Sequence, residues 1–142
     1  MTTTSGFSSG ACDEAYVLDT AAFFAGYQLY LTKNIYTTRK VIQEVKDPES
    51  LKNLQLALSA DKVKVEEPEN THKERISQLA EKLGVLKKLS ETDLELLALV
   101  SALLGRCSSV VVISDDTALR KVAKQIGAKT LTIKYKGRDT SK

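Results

Sequence analysis

Val110-Val111-Val112-Ile113 is an unbroken β-branched run. Branching at Cβ suits the pleated strand and disfavours the helix. Four apolar residues in a row leave no polar face, so the strand must be covered on both sides, as in parallel sheets flanked by helices. The rest of the chain must then supply those helices and further strands.

The other segments meet that demand. Ala15-Tyr16-Val17-Leu18 reads as a short buried strand ending at Asp19. Thr20 to Tyr30 has helical spacing, with Ala22, Phe23, Gly26, Tyr27 and Tyr30 on one face. Ile35-Tyr36-Thr37 forms a brief extended piece, and Thr38 suits an N-cap before a helix from Arg39 to Val45. Pro48 stands in the first turn of the next helix. Val63-Lys64-Val65-Glu66 alternates apolar and polar residues, as an edge strand does. Thr71 to Leu83 forms an amphipathic helix closed by Gly84. Ser90 caps the most apolar helix, Glu91 to Leu104, which Gly105 stops. A helix from Thr117 to Ile126 and a strand over Thr130 to Ile133 follow. This order predicts an α/β fold: three layers, α/β/α, around a central, mostly parallel sheet of about four strands.

One domain accounts for the length of 142 residues. Residues 1–14 read as a disordered leader or tag, 15–133 as the folded domain and 134–142 as a basic tail or linker. The first residues lack a basic n-region, and no apolar run approaches the ~20 residues that span a bilayer. A cytoplasmic location without membrane contact is expected. Cys12 and Cys107 are read as two reduced thiols, and without a Cys-x-x-Cys pair no zinc is expected in this chain. The single histidine, His72, sits among charged residues and is assigned no catalytic role.

The chemistry lies in the acids. Asp19, Glu44, Asp93 and the pair Asp115-Asp116 each fall where a strand or turn meets a helix. Ligands of an open parallel sheet bind beyond the carboxyl ends of its strands. Carboxylates gathered there repel one another unless a cation neutralises them. Mg²⁺ or Mn²⁺, one ion or two, is the expected filler, and cleavage of a phosphodiester the expected reaction. Each acid also has an ordinary explanation. Ser90-x-x-Asp93 is a capping box, Asp19 and one of Asp115 and Asp116 can cap helices, and Glu44 can be a plain surface residue. With one histidine, no Ser-His or Cys-His pairing is available for a covalent route.

These motifs resemble the PIN domain, a metal-dependent ribonuclease fold, over roughly Ala15 to Ile133. The matching elements are the strand ending in Asp19-Thr20, the helical Glu44, Asp93 at the start of the apolar helix, and Ser114-Asp115-Asp116 after the penultimate strand. The resemblance implies catalysis by Asp19, Glu44, Asp93 and Asp116 and metal binding by Asp19, Asp93, Asp115 and Asp116. Thr20, Ser90 and Ser114 would support them, Ser114 by orienting carboxylates. The stretches 89–99 and 112–116 look most like the Nob-type branch, which matures the 3′ end of small-subunit ribosomal RNA. A zinc ribbon usually follows the PIN domain in that branch. RNA, within ribosomal RNA or a pre-ribosomal particle, is then the expected partner, with Lys134, Lys136 and Arg138 touching it. Self-association stays open. Two other readings remain: a toxin ribonuclease of a toxin–antitoxin pair, using the same acids, and a PIN-like scaffold that binds RNA or protein without cutting.

Overall fold

The computed structural model describes residues 12–31 and 34–133. Its elements in order are β1 (Cys12–Leu18), α1 (Thr20–Phe24), α2 (Tyr27–Tyr30), β2 (Ile35–Thr37), α3 (Arg39–Glu44), α4 (Pro48–Ser59), β3 (Val63–Val65), α5 (Asn70–Lys82), a 3₁₀ turn (Leu86–Lys88), α6 (Glu91–Leu104), β4 (Cys107–Ile113), α7 (Thr117–Gln125) and β5 (Lys129–Leu131). The five strands form one sheet in the order β3-β2-β1-β4-β5, and every pairing is parallel.

That order carries the functional geometry. The chain moves from β1 to β2 to β3 in one direction, then returns to lay β4 on the other side of β1 and β5 beyond it. Right-handed crossovers therefore put α1–α4 on one face and α5–α7 on the other. Packing agrees: α5, α6 and α7 contact one another, as do α1, α2 and α4. The winding reverses between β1 and β4, the point where such sheets open a crevice at their carboxyl ends. Leu18 of β1 pairs with Ile113 of β4 at that end.

Strand β4, paired on both sides, is as covered as its composition demands, with Val110, Val112 and Ile113 almost fully buried. Against it pack Leu96, Leu97, Leu99 and Leu103 of α6, all buried, with Leu18, Phe23 and Leu119 from other elements. Each such side chain contributes about 1.5–3 kcal/mol of burial. An ion pair interrupts the apolar α5/α6 side: Glu95 is buried and meets Lys73 Nζ at 3.2 Å.

Several expectations need correction. The sheet has five strands rather than about four, because the three-residue piece 35–37 pairs with both β1 and β3. The helix expected over Thr20 to Tyr30 is two helices, broken at Gly26, whose φ of 89° lies in the left-handed region. Strand β1 begins at Cys12, so residues 12–14, assigned to a leader, belong to the sheet. Glu14 is held there by hydroxyls of Tyr16 (2.8 Å) and Ser109 of β4 (3.0 Å). Those two bonds hold its carboxyl below the usual range, with Lys129 adding a smaller pull the same way. His72 lies in the first turn of α5, with Nδ1 3.0 Å from Ser101 Oγ of α6.

The thiols expected to be reduced form a disulfide, Cys12–Cys107. The cause is register. Parallel pairing of β1 and β4 sets Cys12 directly opposite Cys107, with Cα atoms 4.5 Å apart. Nothing local to either cysteine announces this, because the residues are 95 positions apart.

Candidate functional site

At the carboxyl ends of β1 and β4 lies a cavity of about 280 Å³. Its rim holds Asp19, Thr20, Glu44, Thr92, Asp93, Asp115 and Asp116, with Ala21, Val41 and Leu96 as apolar wall. All five acids singled out in the sequence thus face one space, although they come from four separate segments.

The ordinary and the functional readings of these acids turn out to be compatible. Asp19 caps α1, its Oδ1 accepting from the Ala22 N–H at 2.9 Å. Ser90 and Asp93 form the expected capping box: Asp93 Oδ2 accepts from the Ser90 N–H at 2.9 Å, and Ser90 Oγ from the Asp93 N–H at 3.0 Å. Asp116, not Asp115, caps α7, through Oδ1 and the Leu119 N–H at 2.9 Å. Asp115 Oδ1 accepts from the Ile133 N–H at 2.8 Å and so ties down the chain after β5. Among the described residues, each aspartate gives one oxygen to a backbone amide and keeps the other clear of backbone donors. Capping fixes each side chain at the rim of the cavity.

Glu44, at the last position of α3, is placed differently. The Thr20 hydroxyl donates to its Oε1 at 2.8 Å and the Thr92 hydroxyl to its Oε2 at 2.7 Å. It therefore bridges the starts of α1 and α6 across the cavity. Thr20 was anticipated as a supporting residue, whereas Thr92 was not. The sequence signal for Thr92 was only its place beside Asp93. Ser114 is fully buried. Its Oγ accepts from the Asp116 N–H at 3.0 Å, and its hydroxyl donates to the Asp19 carboxylate. One serine thus links the carboxyl ends of β1 and β4. Lys134, Lys136 and Arg138 lie outside the described residues.

The electrostatics are those of crowded acids. Burial pushes the Asp19 carboxyl above its ordinary value, and the charges of Asp93 and Asp115 push it further. The bonds from Ser114 and Ala22 pull it back only in part. Burial likewise raises Asp93, opposed by the capping bonds of Ser90 and assisted by Asp116 and Glu44. A carboxyl whose folded pKa is raised binds more protons in the native than in the unfolded state. Its contribution to stability is full below the unfolded value of about 3.9 and is lost as pH rises through the folded value. Without divalent ions, Asp19→Asn therefore stabilises the fold more at pH 7 than at pH 4. Paired urea titrations at the two pH values check this, and a pH-independent difference would refute it.

Among the described residues, no three acids stand close enough to form a ready-made metal cluster. The donor set is entirely oxygen, which selects hard cations. Mg²⁺ keeps several of its waters and is held by one or two carboxylates plus substrate phosphate, not by an all-protein cage. An open, acid-rimmed cavity fits that mode of binding.

Comparison with known proteins agrees with this fold. The profile of the family described as PIN domain of ribonuclease matches residues 16–103. The chain belongs to the PIN-domain family. It is 37% identical over 124 residues to ribonuclease VapC3 of Aeropyrum pernix, covering 87% of this chain and 89% of that protein. It is 40% identical over 118 residues to endoribonuclease Nob1 of Pyrococcus abyssi, covering 83% of this chain and 68% of that one. The PIN domain of T. brucei RRP44 shares the fold at a TM-score of 0.53 with 13% identity, over 91% of this chain and 81% of that one. The matched residues 16–103 include Asp19, Glu44 and Asp93, while Asp115 and Asp116 join them through the β1–β4 pairing. Among the described residues, no helix is long and apolar enough to cross a membrane.

Proposed function

We propose that this PIN-domain protein is a Mg²⁺- or Mn²⁺-dependent endoribonuclease acting on small-subunit ribosomal RNA precursors. The observation that supports the reading most is the convergence of Asp19, Glu44, Asp93, Asp115 and Asp116 on one cavity at the β1/β4 switch point. The carboxylates of Asp19, Asp93, Asp115 and Asp116 would hold the ion. When bound, it would supply an activated water and stabilise charge on the departing oxygen. The protein's own part is positional. Caps fix the aspartates, Ser114 ties Asp19 to the loop before α7, and Glu44 with its two threonine hydroxyls closes the far wall. Val41 and Leu96 keep that wall dry and strengthen charge interactions inside.

Likeness to the archaeal Nob1 endoribonuclease favours a ribosomal RNA target. The likeness to VapC3 across 89% of that protein supports a second reading, a toxin ribonuclease acting on other RNAs. Purified protein with Mn²⁺ should cut a transcript spanning the 3′ end of small-subunit ribosomal RNA at one position and leave transfer RNA intact. EDTA should stop the reaction. Preferential cleavage of transfer or messenger RNA would replace the first reading by the second, and no Mn²⁺-dependent cleavage of any RNA would leave the scaffold.

Metal binding has a readout independent of cleavage. Mn²⁺ at a hundredfold its dissociation constant stabilises the fold by about 2.7 kcal/mol through linkage. Thermal melts with and without Mn²⁺ should show the shift in the natural chain, and Asp19→Asn should lose most of it.

A further inference from the structure

We infer that the outer face of α7 is the track along which the substrate's single-stranded RNA backbone leaves the acidic cavity. The inference rests on the nuclease reading and identifies the surface that would hold the substrate.

Helix α7, Thr117-Ala-Leu-Arg-Lys-Val-Ala-Lys-Gln125, carries three cations and no acid. Its inner face is Ala118, Leu119, Val122 and Ala123, all buried. That burial turns Arg120, Lys121 and Lys124 outward, where with Thr117 and Gln125 they line a shallow cavity of about 420 Å³. Arg120 and Lys124 are four residues apart and so lie one above the other. Three cations elsewhere pair with acids, Arg39 with Glu67, Lys73 with Glu95 and Arg106 with Glu66; what sets α7 apart is that its three cations share one acid-free helix face beside the acidic cavity. Among the described residues, Arg120, Lys121 and Lys124 have no such acid within ion-pair distance. The Arg120 Nε is buried and unbonded among the described residues. Its stem is therefore packed down, which limits the freedom its guanidinium would lose on gripping a phosphate.

Position selects RNA over an acidic protein as the occupant. The helix starts at its cap, Asp116, which is itself on the acidic cavity. Eight residues at 1.5 Å rise place Lys124 about 12 Å along the axis from Asp116. A strand whose scissile phosphate lies at the acids can thus continue onto the cationic face. Grooves that bind single strands without sequence preference use such backbone-tracking charge.

The test is the triple variant Arg120→Gln/Lys121→Gln/Lys124→Gln, read by fluorescence anisotropy with a labelled single-stranded 12-mer RNA in EDTA across a salt series. A single-strand phosphate contact contributes about −0.7 to the slope of log K against log salt. Losing three contacts flattens that slope by about 2. If the lines meet at 1 M salt, affinity at 0.1 M falls about a hundredfold. A control with equal charge loss, Lys52→Gln/Lys62→Gln/Lys64→Gln, lies around α4 and β3 at the opposite sheet edge and should keep its slope. Equal loss in both variants means a net-charge effect and overturns the track. So does an unchanged slope in the α7 variant, including one that instead loses affinity for a polyglutamate peptide. Cleavage by the natural chain in Mn²⁺ is scored separately. Cleavage with an unchanged α7 variant sinks the track alone, whereas α7-dependent binding without cleavage sinks the nuclease reading alone.

Discussion

Asp19→Asn and Asp116→Asn each abolish RNA cleavage while the melting temperature in EDTA stays level or rises. The two halves of this result have different causes, and together they separate function from folding. Asparagine caps helices as well as aspartate does, so the bonds from Ala22 N–H to residue 19 and from Leu119 N–H to residue 116 survive. An alanine at either site would forfeit a cap worth about 1 kcal/mol and confuse the reading. For Asp19 the fold also gains, because its charged form is disfavoured by burial and by Asp93 and Asp115. The cleavage loss follows from the lost charge. A carboxylate that would hold the ion becomes a neutral amide, and charge stabilisation of the departing oxygen weakens. Losing about 4 kcal/mol of that stabilisation lowers the rate roughly a thousandfold. Single-turnover cleavage in Mn²⁺, beside differential scanning calorimetry in EDTA, checks both halves. A variant that cuts at the natural rate shows the acid to be a cap and nothing more.

The same double duty explains why the convergence of these acids is legible in the sequence. Helix caps and strand ends are local, and Asp19, Asp93 and Asp116 advertise themselves by both. The covered run Val110 to Ile113 demanded a flanked parallel sheet, and a parallel sheet brings its carboxyl ends to one edge. What stayed hidden depended on register or on very short elements. Ile35–Thr37 is too brief to show periodicity, and pairing on both sides makes it a strand. Glu44 is exposed, as an ordinary surface residue would be, and its two partners, Thr20 and Thr92, are 24 and 48 positions away. The basic face of α7 needed only a helical projection of Arg120, Lys121 and Lys124. Its significance depends on where β4 delivers Asp116.

Reducing the Cys12–Cys107 disulfide destabilises the protein by about 2–4 kcal/mol and leaves the acid site working. The bond joins residues 95 positions apart, so every element from β1 to α6 lies inside the closed loop. Loop closure of that length removes much entropy from the unfolded chain, and the chain-entropy relation gives about 4.7 kcal/mol for a 100-residue loop. Measured effects commonly fall short of that value, hence the lower range. Position limits the damage to stability. The disulfide staples the amino ends of β1 and β4, whose carboxyl ends carry Asp19 and Asp115-Asp116. Seven-residue strands at about 3.3 Å per residue set the two ends roughly 20 Å apart. The six paired positions between β1 and β4 and the buried Val110, Val112 and Ile113 keep the strands in register without the bond. Cys12→Ser and Cys107→Ser should therefore unfold at lower urea with similar loss, and melt about 10 °C lower. Below that temperature both should cleave RNA at the natural rate. A thiol assay on denatured protein purified without reductant should find no free cysteine. Two free thiols per chain after air oxidation, or a serine variant as stable as the natural protein, would contradict the staple.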